Sequence, residues 1–370
     1  MTKLPSNVIE FAAGDTSLFE EFVDYWNHFR SENGPKKYNF ASVDQNGKAI
    51  TLFEKEQLLS KHLVREIGKR AGVDFTSGPI EQLVTHPLVA WSAGMLVSQL
   101  IDAILPDTMI DSVGAYSEVR VLGYGETAVF DINSRDLFPV SRAGRLGMRE
   151  AEMHKGFQGQ VALNPEYRTM TVGVSLFRVI TGQESLANFT VKALRSIETA
   201  VTKDVYDVFA AAMLALSATA STGLRVTGYS QTDLVKLAQK VSAFSGGAAP
   251  ILLGTKVALS QVFPDDANYR YDIESPYVKL GYMRNISGIN TFELPQVANW
   301  ESPFATYLAD DKLYLVAPGT DKIVKLVIGG AMISNTTGVF DNATLTQNAT
   351  MTKAWRAGVV TSSLGACITL

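Results

Sequence analysis

The amino-acid sequence predicts an α+β fold built around one very long helix. Three observations carry that expectation. From about Gln183 to Ala218 apolar residues recur at three- and four-residue spacings without a break, the mark of a helix with one buried face. Ahead of that run, Val119, Val121, Val129 and Ile132, and again Tyr167 to Val174, have strand character. Between the two strand regions lies an extended stretch, Asn133 to Asn164, rich in arginine and glycine.

Taken in order, residues 1–73 are charged and punctuated by Gly34-Pro35 and Gly47. Leu18, Phe19, Phe22, Tyr25, Trp26 and Phe29 form one helical stripe there, and Leu52, Phe53, Leu58, Leu59, Leu63, Val64 and Ile67 a second. Two short helices with polar links bury little by themselves, so this region needs a body, or a neighbouring subunit, to lie on. Leu83 to Leu105 is more thoroughly apolar, a helix or helix pair broken at Pro87. Strands follow from Tyr116, with Gly123 and Gly125 marking a turn or bulge. Asn133 to Gln160 holds Arg135, Arg142, Arg145, Arg149 and Lys155. It is long for a connection, and such loops are usually functional or disordered.

The long helix then carries Leu186, Phe189, Ala193, Leu194, Ile197, Val201, Val205, Val208, Phe209 and Leu216 on one face. At about 1.5 Å per residue it spans roughly 50 Å, more than the width of a small domain. Gln231 to Phe244 is another amphipathic helix, with Leu234, Leu237, Val241 and Phe244 inward. An apolar strand, Ile251 to Leu253, precedes a helix from Thr255 to Val262. Leu313–Val316 and Ile323–Val327 are expected to form a hairpin turned at Pro318-Gly319-Thr320-Asp321. The tail from Gly338 to Leu370 is expected to return to the body as edge strands, and no repeat of about 20 to 50 residues is present.

Length and composition bound the function. At 370 residues, two structural units or one domain with large extensions are expected, and 46% hydrophobic residues permit a sizeable core. Thirty-three Lys+Arg against 37 Asp+Glu leave a net charge of −4, which argues against a protein whose main work is gripping a phosphate backbone. The one cysteine, Cys367, excludes an internal disulfide and a cysteine zinc cluster and reads as a small buried hydrophobe. Met1 to Asn7 lacks the apolar run of a secretory signal, so the sequons at Asn188, Asn285, Asn335, Asn342 and Asn348 carry little meaning. Pro87 to Pro106 is the best membrane candidate, but Ser92, Ser98, Gln99 and Asp102 would place polar groups in hydrocarbon. It is expected to be a buried helix, with no membrane partner.

Motifs that carry chemistry are weak. Gly123-Tyr124-Gly125-Glu126-Thr127-Ala128 has the letters of a dinucleotide fingerprint, yet strand-like residues follow where a helix must receive the pyrophosphate. Gly247 to Lys256 lacks the Gly-Lys-Ser/Thr ending of a phosphate loop. His28, His62, His86 and His154 fall in four different segments, and Glu152 beside His154 makes a poor catalytic or metal pair. Asp265-Asp266 and Asp310-Asp311 read as solvated loop residues, and no serine sits in a nucleophile elbow. No enzyme activity, cofactor or metal is expected. The basic segment lacks the aromatics of a nucleic-acid platform; it reads either as a solvated loop or as an arm whose arginines find carboxylates on an adjacent subunit.

The order of these parts resembles the major capsid proteins of tailed double-stranded DNA bacteriophages, the Hong Kong 97 fold. The text most similar to the family is Leu234-Val235-Lys236-Leu237 followed by Pro250-Ile251-Leu252-Leu253-Gly254-Thr255-Lys256-Val257-Ala258-Leu259, with Val316-Ala317-Pro318-Gly319 before the last strands. The resemblance implies an N-terminal arm over 1–73 and a peripheral domain over 74–228, containing an extended loop (about 116–164) and a spine helix (about 183–218). It further implies an axial domain over 229–334 and a return to the peripheral domain over 335–370. The implied role is structural: hexamers and pentamers assembling in the host cytoplasm into an icosahedral virion shell around non-specifically held DNA, with portal, scaffold or decoration proteins as further partners. Arg142, Arg145 and Arg149 are the expected intersubunit contacts. An encapsulin-type compartment shell is the alternative within the same fold, and a small-molecule enzyme the alternative outside it.

Overall fold

The computed structural model describes residues 9–10, 18–33, 38, 40, 42–43, 50–114, 116–133, 140, 153, 155–156, 158–217, 223–263, 280–299, 302, 304–318, 322–336, 347–361 and 364–370. It is of the α+β class, as expected, and both helices of the first 73 residues are present. Strands β1 (Ile9–Glu10) and β2 (Ser42–Val43) pair in parallel around α1 (Leu18–Asn33). Helix α2 (Leu52–Ala71) opens on a capping box. The Thr51 hydroxyl accepts the Glu54 N–H at 3.3 Å, and the Thr51 N–H donates to the Glu54 carboxylate at 3.0 Å. The helix closes at Gly72 in the left-handed region (φ 68°), where glycine has no Cβ to clash. Phe22, Tyr25 and Trp26 of α1 and Leu59, Leu63 and Ile67 of α2 enter the main core, so the arm helices lie on their own subunit's body. Phe19 and Phe53, counted into the stripes, instead stay at the surface.

Helices α3 (Ile80–Val84) and α4 (Pro87–Val113) are separated at Pro87, and α4 continues past Pro106. By length and composition α4 could cross a membrane, but Leu96, Leu100, Ile101 and Leu105 are all enclosed by the protein. Three of its polar residues find partners, while the buried Ser92 hydroxyl has none among the described residues. Ser98 donates to the Gly94 carbonyl at 2.9 Å, Gln99 accepts from Arg70 at 2.8 Å, and Asp102 meets Lys353 at 2.6 Å.

Strands β3 (Ser117–Leu122), β4 (Ala128–Asn133), β5 (Gln158–Leu163) and β6 (Glu166–Val174) lead through α5 (Leu176–Ile180) to α6 (Leu186–Ser217). Helix α6 is continuous over 32 residues, with Leu194, Val201, Val205 and Phe209 fully buried and Phe189 and Val208 half-buried. After it come β7 (Arg225–Thr227), α7 (Gln231–Phe244), β8 (Ile251–Gly254), α8 (Lys256–Ser260), β9 (Asn285–Ile286) and β10 (Ile289–Glu293). The last strands are β11 (Lys312–Val316), β12 (Val324–Thr336), β13 (Gln347–Val359) and β14 (Gly365–Thr369).

Two sheets organise these strands. One is four-stranded in the order β3-β12-β13-β6, the other six-stranded in the order β7-β14-β11-β8-β10-β9. The four-stranded sheet lays Leu326, Ile328, Met351 and Trp355 against α4 and α6 in the main core, while α7 and α8 cover the six-stranded sheet with Leu234, Leu237, Val241 and Leu259.

Several expectations need correction. Leu313–Val316 and Ile323–Val327 do not form a hairpin, because β11 pairs with β8 and β14 while β12 pairs with β3 and β13. Both runs are fully buried, and the chain between them passes from one sheet to the other. The C-terminal strands are likewise interior: β13 lies between β12 and β6, and β14 between β7 and β11. The sheets therefore cut across the expected boundary at 334, since β12 belongs with β3 and β6, and β14 with β8 and β11. Phe244, at the end of α7, is 68% exposed rather than inward.

Candidate assembly surface

Antiparallel strands β4 and β5 make a two-stranded ribbon outside both larger sheets, in register from Ala128↔Leu163 to Asn133↔Gln158. A lone hairpin is marginal in water, so its attachment matters. Ala128, Phe130 and Leu163 form a small separate cluster with Val327 and Val360, on the side of the four-stranded sheet away from α4 and α6. Two glycines open the sheet to it. A Cβ on Gly358 would stand 2.9 Å from a Leu163 methyl, and one on Gly329 would stand 2.5 Å from the Pro165 ring.

Charged groups lock the ribbon's base. The Arg120 guanidinium lies 4.2 Å from the centre of the Phe130 ring and donates to the Val129 carbonyl at 3.1 Å and to Glu118 at 2.8 Å. Lys325 donates to the other Glu118 oxygen at 2.7 Å with its own ammonium 5.6 Å from the same ring. Partial burial pushes the Glu118 carboxyl up, but the hydrogen bonds and charges of Lys325 and Arg120 win and hold it below the usual glutamate range. Glu118, Arg120 and Lys325 were not singled out in the sequence; the available signal was a lysine inside the apolar run Ile323–Val327.

Away from its base the ribbon offers apolar groups to solvent, with Val129 45% exposed. Beyond it, Val140 and Met153 are exposed as well, and so is Lys155. Arg142, Arg145 and Arg149, the expected intersubunit contacts, lie outside the described residues. A groove of about 800 Å³ runs between β6, β13 and α6, where Arg168 and the Trp355 indole N–H both reach Asp204, at 3.5 and 2.9 Å.

The motifs weighed for chemistry resolve into structure. Gly123 and Gly125 turn β3 into β4, with the Gly123 N–H capped by Glu126 at 2.7 Å and a strand following. Thr255 caps the five-residue helix α8 after β8. His62 pairs with Glu21 at 2.7 Å and His28 with Glu32 at 3.1 Å, both within the arm helices. Cys367 is buried. Glu152, His154, Asp265 and Asp266 lie outside the described residues, and among the described residues no group of three His, Cys, Asp or Glu side chains could hold a metal ion.

No curated protein matches the chain. Solved structures that resemble it include the capsid of a native GTA particle (11% identity, 70% of this chain and 89% of that one, TM-score 0.46). Others are the mature capsid of bacteriophage PhiM1 (11%, 69% and 85%, 0.43) and a structure from Mycobacterium phage Cain (16%, 70% and 89%, 0.42). The family model described as "SPbeta prophage-derived putative capsid protein YonB" matches residues 43–364. With that span covering most of its length, the chain belongs to the YonB family of prophage-derived capsid proteins.

Proposed function

We propose that this capsid protein self-assembles as hexamers and pentamers into an icosahedral shell enclosing double-stranded DNA, formed in the host cytoplasm and carried in the virion. The role is structural, without catalysis. One observation supports the reading above others: the β4–β5 ribbon stands outside both sheets on a small cluster of its own, with aliphatic side chains turned to solvent. A subunit gains nothing from such a projection alone, whereas a shell gains a strap between neighbours. Arg142, Arg145 and Arg149 lie across the adjacent subunit, and the overall charge of −4 lets the shell hold DNA without gluing to it. Portal, scaffold or decoration proteins complete the particle.

The test is expression of the full chain, followed by sizing and negative-stain electron microscopy. Shells, tubes or capsomers are expected. A 40 kDa species that never assembles would overturn the reading, and particles filled with a protein cargo instead of nuclease-protected DNA would favour the compartment alternative.

A further inference from the structure

We infer that the outward ridge of α2, carried by Lys61, Arg65 and Lys69, is a surface of this subunit that meets the phosphate backbone of double-stranded DNA. The inference rests on the enclosure of DNA proposed above and names the residues that would touch it. Positions 57, 61, 65 and 69 recur at four-residue spacing along α2, and all four are exposed. They hold Gln57, Lys61, Arg65 and Lys69, so the outermost line of the helix carries three cations and no acid. The acids of α2 are engaged elsewhere. Glu54 closes the capping box with Thr51, Glu56 lies close enough to Tyr25 of α1 to act on its hydroxyl, and Glu66 pairs with Arg70 at 3.1 Å. Among the described residues no ion pair reaches Lys61, Arg65 or Lys69.

Folding does not account for the row. Like charges four residues apart on a helix repel, and a glutamine at each site would remove that cost. The C-terminal dipole of α2 favours a cation in the last turn, which accounts for Lys69 and Arg70. Lys61 and Arg65 stand beyond its reach. The row does not suit a protein partner either, since a docking surface has an apolar centre and is depleted in lysine. The exposed positions from 57 to 69 hold no apolar side chain.

A polyanion with regularly spaced charge fits the row. At about 1.5 Å per residue the three cations span about 12 Å, a length over which one strand of a duplex presents roughly three to four phosphates. The helix holds them in line, because Leu59, Leu63 and Ile67 on its other side are enclosed in the main core and both its ends are capped. Contacts to phosphate carry no sequence information, so the ridge is indifferent to the bases. Three cations per copy bind weakly, in keeping with the overall charge of −4. A shell repeats the row at every subunit, and linked weak contacts reinforce one another.

The test titrates a fluorescent random-sequence DNA duplex with the full chain at salt concentrations from about 50 to 200 mM. It compares wild type, Lys61→Gln/Arg65→Gln/Lys69→Gln, and a control, Lys236→Gln/Lys240→Gln/Lys256→Gln, that removes three exposed cations from α7 and α8. At about 0.9 per phosphate contact, the slope of log K against log salt should be shallower by about 2 to 3 in the α2 variant and unchanged in the control. The α2 variant should melt no lower than wild type and assemble normally without DNA. A slope equal to wild type, or an equal change in the control, would overturn the inference while leaving the shell reading intact. Lost assembly with unchanged duplex binding would also overturn it, assigning the ridge to an acidic face of a neighbouring subunit. A wild type that never assembles would overturn the shell reading on which the inference rests.

Discussion

The Asp102 carboxylate and the Lys353 ammonium lie 2.6 Å apart across the interface between α4 and the four-stranded sheet. The second Asp102 oxygen accepts the Met332 N–H at 2.5 Å, and Lys353 also donates to the Gly330 carbonyl at 2.6 Å. The pairing of β12 with β13 shifts register between Gly329 and Ile333, so the strand has backbone groups there that the ladder leaves over. Asp102 and Lys353 satisfy them together, which is why a carboxylate is tolerated where α4 packs on the sheet.

Asp102→Ala should therefore cost more than a surface pair. Lys353 is 6% exposed and would keep a charge without its counter-ion, a situation worth about 3 kcal/mol. The double variant Asp102→Ala/Lys353→Met should recover a large part of that loss. Urea unfolding of the dissociated subunit measures both, and additive losses would show that the two residues act separately.

The arm helices carry a pH dependence. His28 lies among Lys55, Glu32 and Asp24, and stacks on Phe40 at 4.0 Å. Burial first, then the Lys55 charge, lower its pKa below the ordinary 6.5, against the opposing pull of Glu32 and Asp24. In the unfolded chain the imidazole takes its proton near 6.5, so between there and the lower folded value the unfolded state binds more protons. Stability is then complete above about 6.5 and falls as pH drops through that window. Thermal unfolding between about pH 7.5 and 5 should show the decline, and His28→Gln should flatten it. An unchanged slope in that variant would assign the dependence elsewhere.

The two glycines under the ribbon should differ in cost. Alanine at Gly329 would meet the rigid Pro165 ring at 2.5 and 2.9 Å, whereas at Gly358 it meets the mobile ends of Leu163 at 2.9 and 3.0 Å. Overpacking that cannot relax costs about 1 to 3 kcal/mol. Gly329→Ala should lose that much and impair assembly by displacing the ribbon; Gly358→Ala should lose less. Equal losses at the two sites would show that Pro165 also gives way.

Much of this architecture was legible because periodicity is local. The spine helix was read to within three residues at its start, and α7 to the residue, since both bury one continuous stripe. Strand partnership was not legible. β11 and β12 are adjacent in sequence, apolar and joined by a Pro-Gly turn signal, yet β11 and the first half of β12 are buried on both faces in different sheets. An apolar run reveals burial without naming its neighbours.

Arg142, Arg145 and Arg149 offer a direct test of the strap. If they lie across a neighbouring subunit, replacing all three by glutamate turns attractions into repulsions while leaving the three core clusters untouched. Each partly exposed pair is worth about 0.5 to 1 kcal/mol. That is small for one subunit, but a closed shell repeats the loss at every copy, and charge at an interface rim also governs the rate and register of docking. Folding should survive and assembly should fail. Circular dichroism beside electron microscopy of the triple variant separates the outcomes. Native spectra with free capsomers or small aggregates support the strap, whereas native spectra with shells as stable as wild type make the segment a solvated loop and move the intersubunit role to the ribbon's aliphatic face.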